Sequence, residues 1–259
     1  MKRLISIRVI LFTAATLLLF SLAMNTASAA EAWEKTAKSL FENGEYEKCI
    51  ELVKKYKDDN FARMFLGFSY LQEYTFKKTK YDREMFKNAR MILQDKTGSE
   101  DADHLLYFVN QKDQPAVVKE ARKLLKSAFK NSKDNEDVKK MLPLLQSTDE
   151  KTKKDTLSAI SKIIAPKRKV VLKGGTLRKK DIDMMTDADL IKALLDNILV
   201  ASTATKILVM IEKPVLKYLG EYEGKKIMDL ESKITKAIAK REKKYPESNW
   251  YSATGKIRE

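Results

Sequence analysis

The sequence predicts an all-α fold in which successive helical hairpins stack into an α-solenoid. Three observations carry this expectation. Apolar residues recur at helical spacing along most of the chain. Adjacent helical stretches are separated by joints of only a few residues, which forces neighbours antiparallel. Eight glycines and five prolines in 259 residues are few, while Lys, Glu, Leu and Ala are plentiful, a composition that favours helices over strands.

The first 29 residues stand apart from this pattern. Lys2, Arg3 and Arg8 precede an apolar run from Val9 to Met24, and Ala27-Ser28-Ala29 places small residues where a signal peptidase reads them. That is the layout of a secretory signal. An uncleaved anchor is the competing reading, but it wants roughly 18–20 apolar residues. Cleavage after Ala29 leaves 230 residues, enough for one large core or an extended array. Cys49 is the only cysteine, so there is no intramolecular disulfide and no site for a lipid near the signal. An exported chain of this kind, in the periplasm or cell envelope or secreted outright, must be held together by packing.

Helical spacing begins with Trp33, Ala37, Leu40 and Phe41 and resumes after Gly44 with Tyr46, Cys49, Ile50, Val53 and Tyr56. Gly44 supplies the positive φ that ends the first helix. An αα-hairpin so formed cannot bury its apolar faces alone and needs a neighbour. Trp33, Ala37, Gly44-Glu45-Tyr46 and Cys49 resemble a tetratricopeptide repeat: a bulky residue, a small one four later, a Gly-x-Tyr turn, and a small residue in the second helix. Leu66, Gly67 and Tyr70 resemble the Leu-Gly-x-x-Tyr of a second copy, completed by a helix over Tyr81 to Leu93. The second copy departs from the pattern at Thr75 to Lys80, where extra residues replace the tight turn. Together the copies cover residues 30–95. The resemblance implies a concave groove for a partner segment, lined here by Lys38, Phe41, Glu42, Phe61, Met64, Phe68 and Leu71. The competing reading buries Phe61 to Leu71 on both sides, because Phe65 and Leu66 are apolar too.

After Thr97-Gly98-Ser99 the pattern changes. Pro115 to Phe129 and Glu150 to Ile164 are amphipathic, and Val117/Thr152, Ala121/Thr156, Leu124/Ala159 and Leu125/Ile160 all lie 35 residues apart. Each follows another helix, Asp101 to Val109 and Asp137 to Gln146. Pro115 suits the first turn, where its missing N–H costs nothing. The run from Asp137 to Ile164 resembles a HEAT repeat, which extends the helical-repeat expectation over residues 96–165. An irregular helical bundle is the alternative.

Ala165 to Lys180 holds Pro166, Gly174-Gly175 and seven basic residues without an acid, and is expected to be a linker with no regular helix. Its charges, Lys167, Arg168, Lys169, Lys173, Arg178, Lys179 and Lys180, suit either a solvated loop or a contact with an acidic protein, anionic lipid or wall polymer. Helices return over Asp187 to Ala201, with Thr186 as the expected N-cap. Ala204 to Glu212, Val215 to Tyr222 and Lys226 to Lys244 follow, completing a region spanning 181–245. Lys192, Asp196 and Lys206 interrupt the apolar stretch from Leu190 to Ile211, so it reads as a buried helix pair and not a membrane span. Residues 246–259, with Trp250-Tyr251, read as a tail.

Chemistry is sparse. The single histidine, His104, reads as a structural or surface residue, and a buried Cys49 would be inert. No spacing suggests a metal set, and Gly174-Gly175 lacks the strand-to-helix setting of a phosphate loop. Asp181/Asp183 and Asp187/Asp189 are acids of the kind that collect at helix starts. The chain therefore reads as a non-enzyme without cofactor or metal. The formal charge of +15 rests on 41 lysines and only ten arginines. Lysine is a solvated point charge, and the basic segment lacks the aromatics that stack on bases, so nucleic acid is a poor partner. The expected function is an exported adaptor that binds envelope proteins through a helical-repeat surface. The alternative is a binder of anionic lipid or wall polymer.

Overall fold

The computed structural model describes residues 32–77, 82–94, 97–130, 132 and 134–245. The expected signal segment, the stretch 78–81 and the expected tail with Trp250-Tyr251 lie outside the described residues. Among the described residues every regular element is helical and there is no strand. The chain divides into two compact units, Met1–Lys96 and Thr97–Glu259.

The first unit contains α1 (32–42), α2 (Tyr46–Val53), α3 (Asn60–Lys77) and α4 (Asp82–Gln94). Gly44 sits at φ 75°, and the chain reverses there. The reversal brings α2 back along α1. Trp33 stacks on Tyr56 at one end with centroids 5.0 Å apart, and Phe41 meets Tyr46 edge-on at the other. Between them the Cys49 thiol lies 3.7 Å from the Ala37 carbonyl oxygen. Small residues at 37 and 49 are what permit that approach. One face of the hairpin is then closed by α3, where Phe61 and Phe65 pack against Trp33 and Phe41. On its other side α3 meets α4 closely at Gly67, where an added Cβ would lie 2.6 Å from Leu93 Cγ. In place of the repeat's tight turn α3 runs on to Lys77, and Tyr74 stacks on Phe86 of α4 at 4.7 Å.

The second unit opens with α5 (Ala102–Val109) and α6 (Pro115–Ala128), followed by α7 (Asn135–Met141) and a 3-10 turn over Leu142–Gln146. Pro115 is in the first turn of α6, as its lack of an N–H favours. The start of α7 lies two residues before the expected Asp137. Asp134 caps it, accepting from the Asp137 backbone N–H at 3.2 Å, while Asp137 reaches back to the Asp134 N–H in a capping box. Asn110, just past α5, joins the two hairpins. Its Oδ1 accepts from Ser147 Oγ at 2.8 Å and from the Thr148 N–H at 2.9 Å.

The longest element is α8 (Glu150–Val171), started by Asp149, whose carboxylate accepts from the Thr152 N–H at 2.8 Å. It overturns the expectation of an irregular linker from Ala165. Pro166 lies inside the helix, exposed on its solvent side. The opposite face buries Ile163, Ile164, Arg168 and Val171, and each buried aliphatic side chain is worth about 1.5–3 kcal/mol. Together these outweigh the roughly 3 kcal/mol that proline costs in a helix interior. The break comes instead at Gly174, at φ 73°, whose N–H donates to the Val171 carbonyl.

Five further described helices follow in the unit: α9 (Lys179–Met185), α10 (Ala188–Asp196), α11 (Ser202–Ile211), the short α12 (Lys213–Leu216) and the long α13 (Lys225–Lys244). The cap of α10 is Asp187 and not Thr186. Asp187 Oδ1 accepts from the N–H groups of Asp189 and Leu190, whereas Thr186 bonds back to Ile182 within the preceding helix. The apolar stretch from Leu190 to Ile211 forms the expected buried pair, α10 and α11, in one core with α8 and α13.

Candidate functional site

The groove implied by the repeat resemblance is not an open surface. Phe41, Phe61, Met64, Phe68 and Leu71 are all core residues, at 0–6% exposure. The cause is that α3 has neighbours on both faces: the α1–α2 hairpin takes Phe61, Phe65 and Phe68, and α4 covers the other side. Only Lys38 and Glu42 stay near solvent, and Lys38 pairs with Glu34 at 2.6 Å.

The basic segment is likewise divided by the fold. Arg168 is buried in α8, and its Nη2 donates to Glu212 Oε1. Arg241 of α13 donates from Nε to Glu212 Oε2 at 2.8 Å, so one carboxylate joins three helices. Asp181 is buried between Lys167, at 3.3 Å, and Arg178, at 2.8 Å. Burial pushes the Asp181 carboxyl up, but the Arg178 hydrogen bond and the charge of Lys167 outweigh it and hold the group below the usual carboxylate range. Lys169, Lys173, Lys179 and Lys180 are exposed, and Lys179 pairs with Asp183 at 2.7 Å. Val170 and Leu172, exposed at 40% and 44%, stand beside Lys169 and Lys173 at the end of α8.

Of the candidate reactive residues, Cys49 is fully buried, and burial raises its thiol pKa. Its nucleophilic thiolate is thereby disfavoured. His104 is half-exposed on α5, 3.8 Å from Asp101. Asp187 is occupied as a helix cap. Among the described residues no group of three or more His, Cys, Asp and Glu could hold a metal. No described helix is long and apolar enough to cross a membrane.

The surface clefts among the described residues include one in each unit. The first, about 460 Å³, lies between α3 and α4 and is lined by Leu66, Tyr70, Met85, Met91 and Ile92, with Glu84 and Asn88 at its edge. The second, about 340 Å³, lies between α6 and α8. Its floor is Leu125, Phe129, Leu144 and Ala159; its rim carries Arg122, Lys126, Lys130 and Lys162. Thr152, Thr156 and Ser158 add hydroxyl groups. These clefts were not legible as sites in the sequence, because their residues read as ordinary solvent faces of amphipathic helices. The one signal in the sequence was the 35-residue recurrence between the apolar positions of α6 and α8. Compared with family models, with curated proteins and with solved structures, the chain matches none.

Proposed function

We propose that this protein is a non-enzymatic adaptor, exported to the periplasm or cell envelope, that binds a protein partner on the surface of α-solenoid-type hairpins. The carrying observation is the α6–α8 cleft. It lies between equivalent helices of successive hairpins and combines an apolar floor with a polar rim, the composition of a recognition surface. Stacked hairpins offer such grooves between repeats without further elaboration. The test is in-cell crosslinking from a photoreactive residue at position 126, followed by mass spectrometry of the crosslinked species. A discrete protein partner that disappears when Ala159 is enlarged to Trp supports the adaptor. The same products from an exposed control position such as 240 refute it.

A second reading has its own observation. The exposed Val170 and Leu172 beside Lys169 and Lys173 pair apolar tips with cations, as in surfaces that rest on anionic lipid or wall polymer. Sedimentation with phosphatidylglycerol vesicles at low and high salt tests it. Loss of sedimentation on changing Lys169, Lys173, Lys179 and Lys180 to Gln is the expected result, and indifference to the change rejects it.

A further inference from the structure

We propose that the α6–α8 cleft recognises an acidic, amphipathic helical segment of the partner, with carboxylates one turn apart and an apolar side chain between them. This rests on the adaptor reading and adds the chemistry of what is bound.

The electrostatics of the cleft are one-sided. Arg122, Lys126, Lys130 and Lys162 face one acid, Asp155, which already lies 3.6 Å from Lys151. Lys126, Lys130 and Lys162 are exposed and have no acidic partner among the described residues. Arg122 does have one, Asp149 at 3.2 Å, but that carboxylate also caps α8 and accepts from both Thr152 N and Thr152 Oγ1. The Arg122 Nε group is buried and makes no aligned hydrogen bond. Ser132 Oγ, also on the lining, is buried without a hydrogen-bond partner. Buried donors without acceptors cost stability, and an acceptor brought by a ligand recovers it. One such donor, Ser132 Oγ, borders this cleft.

The spacing sets the class of ligand. Arg122 and Lys126 lie one turn apart on α6, roughly 6 Å at 1.5 Å rise per residue, and Lys130 extends their stripe two residues past the last helical residue, Ala128. A single anionic head group meets one end of such a stripe. A helix with Glu at i, i+4 and i+8 meets all of it. Lysines on flexible stems suit separate carboxylates, whereas a phosphate is better gripped by arginine forks. The floor of Leu125, Phe129, Leu144 and Ala159 accepts one or two apolar anchors, the arrangement by which helices dock into grooves.

The probes are two labelled synthetic helices, one with Glu at i, i+4 and i+8 opposite a Leu stripe, and one with Gln at the same three places. Fluorescence anisotropy with the mature protein is expected to show binding of the Glu peptide that weakens about tenfold or more with added salt or with Lys126→Glu and Lys130→Glu together. The Gln peptide is expected to bind at least about tenfold more weakly. Both lysines are exposed, and an unchanged helix melting curve shows that the fold is intact. Ala159→Trp, which fills the floor without altering charge, is expected to remove binding as well. Equal binding of the two peptides, or a Glu peptide indifferent to the lysine reversals, overturns the proposal. So does protection of the cleft by decanoate or inorganic phosphate alone, or by self-association in sedimentation equilibrium. The adaptor reading fails separately. If crosslinking from position 126 captures a partner that Lys126→Glu/Lys130→Glu still binds, only the acidic chemistry is wrong; if it captures none, the adaptor is wrong.

Discussion

Replacing Glu212 is the most searching test of the second unit. Its carboxylate is fully buried and is shared by Arg168 of α8 and Arg241 of α13, both buried themselves. Removing it takes from the buried Arg168 its counter-charge and from Arg241, which also meets Glu242 at 3.4 Å, its partner at 2.8 Å. Breaking a buried pair by deleting one partner costs about 3–5 kcal/mol, chiefly from the charge left behind. Backbone strain adds a second, separable effect. Glu212 is the one described non-glycine residue with positive φ, at 63°, and such a conformation costs a side-chain-bearing residue about 1–3 kcal/mol.

The two effects predict an order among variants. Glu212→Ala loses the carboxylate and keeps the strain, so it should fall by the full 3–5 kcal/mol. Glu212→Gly loses the same carboxylate but relaxes the backbone, and should be about 1 kcal/mol more stable than the alanine variant. A triple change of Arg168 and Arg241 to Met with Glu212 to Leu removes all three charges and should recover much of the loss. The assay is urea unfolding followed by the methyl resonances of Ile163, Ile207 and Ile211, which lie in this core, with helix circular dichroism alongside. A Glu212→Ala variant within about 1 kcal/mol of wild type would refute the idea that this carboxylate ties the three helices.

Asp181 gives a pH signature. Its folded pKa is depressed, so its stabilising effect is present above the unfolded carboxylate value and is lost as pH falls through the lower folded value; Asp181→Asn should flatten the acid limb of the unfolding curve, and an unchanged limb counts against the Lys167–Asp181–Arg178 cluster. Pro166→Ala should stabilise by roughly 1–2 kcal/mol, since it restores a helix N–H at an exposed position, and a drop in Tm would contradict the continuous helix. Gly67→Ala should cost about 1–3 kcal/mol by driving a Cβ into Leu93, measured by denaturation of the first unit. Cys49 should resist alkylation in the native protein and react promptly in urea; rapid native labelling would show that the α1–α2 hairpin is not packed as described.

The hairpin at Gly44 was legible because its signals are local. A glycine at positive φ, a bulky residue at 33 and small residues at 37 and 49 each dictate their own neighbourhood. The same holds for Pro115 and for the apolar pair of α10 and α11. What escaped were features decided by partners distant in sequence. Phe61 shows the same helical spacing whether it lines a groove or packs in a core, and only its contact with Trp33 in the folded chain makes it core.

The fate of the basic segment carries that point to function. Seven cations between Lys167 and Lys180 looked like one surface feature. Arg168 finds Glu212, 44 residues on, and Lys167 and Arg178 close on Asp181, so these three of the seven hold the fold together. Conversely Lys126, Lys130 and Lys162, dispersed in sequence and unremarkable there, converge on one apolar cleft. A run of cations in sequence is therefore no measure of an exposed basic surface, because a cation's availability depends on which acid the tertiary fold brings to it. For this chain the consequence is specific: neutralising Lys167, Arg168 and Arg178 should reduce stability, whereas neutralising Lys126, Lys130 and Lys162 should leave stability unchanged and alter only what the protein holds. Denaturation and peptide binding measured on the same two variants separate the roles, and a reversal of that pattern would return the binding surface to the α8–α9 turn.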